Sequence, residues 1–131
     1  MAHYLGANMG HCTKVLPTTK PYHALGVGLA TMRLDGFASI GPDGEFATKL
    51  MKVEGQQLQI NGRGDSIRAE LQDAEGKPIP GFSVADCDPI GGDDVRQTVT
   101  WSGSSKLPKF DEPVQLRFVL DSAEIFAFQF R

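Results

Sequence analysis

Apolar residues recur at every second position along most of this chain, in short runs cut by Gly, Pro and Asp every eight to twelve residues. A chain whose side chains alternate with period two puts one set on each face of an extended strand. No run keeps a 3.6-residue period long enough for a helix. Turns at this spacing between short strands predict an all-β fold, and we expect an antiparallel β-sandwich, jelly-roll-like, of about eight or nine strands. Fifteen Gly and eight Pro in 131 residues agree with a turn-rich β chain.

The alternation divides the chain at residue 23. Residues 1–23 carry two prolines and all three histidines without a clean period. They are expected to be mostly irregular with room for a short strand, a propeller remnant or a swapped strand, with residues 24–131 forming the sandwich. In ALGVGLATMR, Leu25, Val27 and Leu29 share a face. Leu34-Asp35-Gly36 and Pro42-Asp43-Gly44 read as turns, and EFATKLMKV as a strand between turns. Gly62, Gly64 and Asp65 read as a turn between the strands QLQING and SIRAELQD. The second of these places Ile67, Ala69 and Leu71 inward and Arg68, Glu70 and Gln72 outward. VRQTVTW aligns Val95, Gln97, Val99 and Trp101. VQLRFVL aligns Val114, Leu116, Phe118 and Leu120. Asp121-Ser122-Ala123-Glu124 reads as a turn back into IFAFQFR, with Phe126, Phe128 and Phe130 together on a core face.

Composition excludes several function classes. A net charge of -3 leaves no basic stripe to neutralise phosphates, so nucleic acid is not an expected partner. No apolar run is long enough to span a bilayer as a helix, so no membrane role is expected. The start MAHYLGANMGHC lacks the basic and apolar regions of a secretory signal. The chain is expected either to act inside the cell as encoded or to have lost an N-terminal portion. Cys12 and Cys87 are too few for a disulfide framework or a zinc site, so two free thiols are expected. A single bridge between them would require the N-terminal segment to lie beside the Asp86–Pro89 loop.

The order of segments carries a resemblance. RLDGFASI, TKLMKVEGQQLQIN, IRAELQDAEGKPIPGFS, the Asp-Cys followed by PIGGDDVRQTVTW, KLPKFDEPVQLRF and EIFAFQF occur in sequence without large gaps. This pattern from Arg33 to Arg131 resembles the C-terminal β-sandwich module of bacterial proteins built on a glycosidase-like β-propeller. In those proteins a segment like YHALGVGLATMRLDGF leads from the propeller into the sandwich. The propeller, which holds the catalytic carboxylates of such proteins, has no counterpart here. The resemblance therefore implies a non-catalytic accessory module, one that binds carbohydrate like a jelly-roll carbohydrate-binding module or packs on a partner domain or on itself as a homo-oligomer.

Candidate sites follow from those roles. Sugars stack on exposed aromatic rings, and Trp101, Tyr22 and Tyr4 are the candidate platforms. Trp101 also shares a face with Val99 and Val95, which favours a core position. The loop from Asp86 to Asp94 offers Asp86, Asp88, Asp93 and Asp94 as oxygen ligands for calcium, but its glycines between acids favour a solvated turn. Histidines His3, His11 and His23 lack partners at a recognised ligand spacing. Glycoside hydrolysis would need two of Asp35, Asp43, Glu45, Glu70, Asp73 and Asp111 in one cleft. All six fall at turns or on outward strand positions, so a small glycoside hydrolase is the least favoured reading and no catalytic residue is assigned.

Overall fold

The computed structural model describes residues 2–7 and 27–131. It divides into two compact units, Met1–Leu34 and Asp35–Arg131. Among the described residues every regular element is a strand. In the first unit, β1 (Ala2–Ala7) pairs antiparallel with β2 (Val27–Met32), from Ala2 opposite Met32 to Ala7 opposite Val27. The strand β1 falls in the segment expected to be mostly irregular with a short strand. Six residues of MAHYLGA are too few for a period to stand out.

The second unit is one antiparallel sheet of β3 (Gly44–Ala47), β4 (Leu58–Gln72), β5 (Ile90–Thr98) and β6 (Gln115–Phe130), in the order β3-β6-β4-β5. The alternation read from sequence holds over much of it. Ile67, Ala69 and Leu71 are buried, as are Val114, Leu116, Phe118 and Leu120. Val99 and Trp101 are buried just beyond the end of β5. The expected turn at Leu34–Gly36 is present, with Asp35 at a φ of 56°.

Two expected turns are absent. Gly62, Gly64 and Asp65 lie inside β4, and Asp121 to Glu124 lie inside β6. Each of these long strands joins two segments on either side of the glycines or the polar run. FASIG contributes only an isolated bridge, Ile40 to Ile125, and EFATKLMKV keeps strand form only over Gly44–Ala47. Six strands are formed among the described residues.

The glycines mark a belt of register shifts across the middle of the sheet. On β6, Ala127 is opposite Asn61 but Ile125 is opposite Gly62, which leaves Phe126 as an extra, bulged residue. On β4, Gly64 faces Gly92 and Ile67 faces Ile90, so Asp65 and Ser66 together face Gly91. Bulges bend a strand and increase its twist. The bend is large. Phe118 and Phe128 are ten positions apart on β6, about 33 Å in a straight strand, yet their ring centroids lie 5.6 Å apart. Phe46 stacks on Phe118 at 5.2 Å, and Phe130 meets Phe128 edge-on at 6.4 Å.

The bulge also corrects the reading of the last strand. Phe128 and Phe130 pack against the core as expected. Phe126, at the register shift, instead lies beneath the Arg63 guanidinium, 5.6 Å from ring centroid to charge.

Candidate functional site

Trp101 is a core residue. It is 3% exposed, its indole N–H donates to the Ala69 carbonyl at 2.9 Å, and Phe82 meets its ring edge-on at 5.3 Å. The bond closes a sheet edge. β5 leaves β4 after Ile67, so the outward main-chain groups of Ala69 and Leu71 need other partners. The Ala69 N–H donates to Cys87 Sγ at 3.3 Å. The Leu71 N–H donates to the Phe82 carbonyl at 3.0 Å, and the Leu71 carbonyl accepts from the Ile79 N–H at 2.8 Å. Cys87 carries a free, buried thiol, and burial pushes its pKa up against the opposing Ala69 N–H bond. The ring that sequence offered as a sugar platform is thus spent on the fold. Tyr22 and the Tyr4 side chain lie outside the described residues, as does Cys12.

Asp86, Asp88 and Asp94, three of the acids proposed for calcium, accept local hydrogen bonds. Asp86 Oδ2 accepts from the Ser83 hydroxyl at 2.6 Å. Asp88 Oδ2 accepts from the Thr100 hydroxyl at 2.6 Å and from the Gly103 N–H at 2.8 Å. Those two bonds hold the Asp88 carboxyl below its ordinary pKa. Asp94 Oδ1 accepts from the Arg96 N–H at 3.0 Å, and Asp93 lies beside it on β5. Among the described residues no three of His, Cys, Asp and Glu converge as metal ligands.

Several carboxylates considered for hydrolysis are also engaged. Asp43 Oδ1 accepts from the Ser122 N–H at 2.7 Å. Asp73 Oδ1 accepts from the Glu75 and Lys77 N–H groups at 3.0 and 2.9 Å, shaping the turn after β4. Arg117 bridges Glu45 and Glu70. Glu70 and Gln72, read as outward, are in fact buried at 3% and 9% exposure. The cause is the chain around Val84, which lies over that end of β4 and donates its N–H to Glu70 at 3.0 Å.

Glu70 gives a pH prediction. Burial acts to raise its pKa, but the Val84 N–H, the Gln72 amide and Arg117 together outweigh it and hold the carboxyl below its ordinary value. An unfolded glutamate titrates near about 4.3. The folded value is lower, so the stabilisation is fully present above that pH and is lost as pH falls through the folded value. Urea unfolding of Glu70→Gln is expected to show a loss of about 1–2 kcal/mol near pH 7 that shrinks below about pH 4. A pH-independent difference would contradict the assignment.

Two grooves flank the bend. One, of about 490 Å³, has the charged residues Arg63, Asp65, Asp93 and Glu124 around Gly64 and Gly92. Arg63 is pinned there by Glu124 Oε2, at 2.8 and 2.9 Å from its Nη2 and Nε, and by the Phe126 ring. The other, of about 410 Å³, is apolar and runs between Ala38–Ile40 and Ile125–Phe128, with Phe46 at one side. Ile40 is 51% exposed and Phe37 77% exposed. Sequence reading assigned a function to neither groove. Their residues lie far apart in the chain, and only the unexpected continuity of β4 and β6 brings them together. The glycine density around residues 62–64 and 91–92 was the one local signal, and glycines serve turns and bulges alike.

No protein-family model matches the chain, and no curated protein or solved structure matches it significantly.

Proposed function

We propose that this chain is a non-catalytic accessory module that works by packing on another protein surface. The apolar groove beside Ile40 is its contact. The observation that carries this reading is that groove's apolar lining, with the half-exposed side chain of Ile40 at its wall. Apolar surface gathered in one concave place is the usual mark of an interaction site. The burial of Trp101 removes the principal candidate for sugar stacking, and the bonded carboxylates argue against a hydrolytic pair. The resemblance to a propeller-associated sandwich supports the word accessory. In this reading the bent sheet serves as the two layers of the sandwich.

The test uses an apolar fluorescent dye, anilinonaphthalene sulfonate, as the probe. Ile40→Asp is expected to cut dye binding at least about fivefold while changing stability by less than about 0.5 kcal/mol, because the side chain is half exposed. Equal dye binding by the variant would remove the groove from the account.

Carbohydrate binding is kept as a second reading, on one observation. At the charged groove the Arg63 guanidinium lies over the Phe126 ring next to carboxylates, a set of donors and acceptors that can meet sugar hydroxyls. Affinity electrophoresis through gels of plant and algal polysaccharides separates the readings. Packing predicts unchanged mobility, and retardation abolished by Arg63→Ala would favour the sugar.

A further inference from the structure

We propose that the free edge of β6 at Phe128–Phe130 pairs with the same edge of a second copy of this chain; this rests on the packing reading and names its partner. The direction of the main-chain groups can be worked out from the hydrogen bonds beside them. The Arg131 N–H donates to the Gln57 carbonyl at 2.9 Å, and the Arg131 carbonyl accepts from the Gln57 N–H at 2.8 Å. Residues 131, 129 and 127 therefore turn towards β4, and Phe130 and Phe128 turn away from it. The neighbouring strand agrees: Leu58, opposite Phe130, faces β5 and accepts from the Val99 N–H at 2.9 Å.

On the outward side, β3 covers β6 from Arg117 to Leu120, and Pro42 and Ile40 cover Ala123 and Ile125. The cover stops there. Among the described residues nothing bonds the outward N–H and C=O groups of Phe128 and Phe130. Those groups are left to water unless another extended main chain pairs with them, and such an edge is a ready template for one.

A second copy meets that need without further assumptions. Two antiparallel copies of one edge are self-complementary about a twofold axis. Centred on Gln129, Phe128 lies opposite Phe130 of the second copy, and Phe130 opposite its Phe128. These are the two outward residues, so each pair exchanges both of its hydrogen bonds and the ladder continues through four. The axis passes between the two Gln129 side chains, which are exposed. The apolar groove opens at the end of this ladder and is covered by the pairing.

Sedimentation equilibrium of the whole chain from micromolar to millimolar concentration, with amide exchange at Phe128 and Phe130, tests the proposal. The expected result is a concentration-dependent dimer in which those two amides become protected as dimer forms. Gln129→Lys and Gln129→Glu place like charges opposite one another, so each is expected to weaken self-association by about threefold or more. An equimolar mixture of the two variants is expected to recover association. A monomer up to millimolar concentration would overturn the proposal. A dimer indifferent to both charges, with fast exchange at Phe128 and Phe130, would also overturn it while leaving the packing reading in place. Loss of dye response in Ile40→Asp bears on that reading alone.

Discussion

Gly64→Ala is expected to prevent this sheet from forming. Gly64 sits inside β4 at a φ of +130°, a conformation that L side chains rarely adopt. A Cβ there would lie 2.3 Å from the Ala123 Cα and 2.3 Å from the Ser122 carbonyl oxygen. Both are backbone atoms of β6, so no side chain can swing aside. Strain and overlap together place the cost above about 4 kcal/mol, against a total stability of about 5–15 kcal/mol for a typical domain. Gly76→Ala is the control. Its φ of +78° is also left-handed, but a Cβ there meets nothing within 4 Å. That change should cost only about 1 kcal/mol. Circular dichroism and urea unfolding distinguish the two. A folded Gly64→Ala with a loss near that of Gly76→Ala would mean that β4 and β6 do not approach as described.

Trp101→Ala should be nearly as damaging. Removing a buried indole costs about 3–5 kcal/mol through lost burial and the cavity left behind. Here it also strands the Ala69 carbonyl on an edge that no strand covers. Trp101→Phe separates the two effects. It keeps much of the packing on Phe82 but removes the donor, so an expected loss of about 1–3 kcal/mol measures the unsatisfied acceptor. Thermal unfolding followed by far-ultraviolet circular dichroism reads both changes. A Trp101→Phe protein as stable as wild type would contradict the edge-closing role. Sugar-dependent quenching of Trp101 fluorescence in the wild type would place the ring at the surface and restore it as a platform.

The fold was legible in sequence wherever side-chain alternation is set by burial on one face. Ile67 to Leu71 and Val114 to Leu120 follow the period-two pattern and are buried as that pattern requires. Trp101 keeps the parity of Val99, so its core position was already one of the two readings open. The belt of bulges was not legible, because its residues are those of turns. Gly62, Gly64 and the run from Asp121 to Glu124 look the same whether the chain reverses or merely kinks. What decides is the partner strand, and each stretch lies opposite the other. The burial of Glu70 was hidden for a similar reason. Its outward parity is correct, but the chain around Val84 lies over that side of the sheet and supplies an N–H. The two grooves draw on residues from Ala38 to Phe128, and no local pattern reports such a meeting.

The functional reading depends on β6 as a single bent strand, because that continuity creates both the apolar groove and the free edge. Amide hydrogen exchange at Ala123 and Ile125 tests it most directly. The Ala123 N–H donates to the Pro42 carbonyl at 2.8 Å and the Ile125 N–H to the Ile40 carbonyl at 3.0 Å. Both amides are predicted to exchange as slowly as those of the neighbouring strand residues. Exchange at the rate of an open loop across residues 121–125 would show that the chain turns there, and the groove and the paired edge would fall with it.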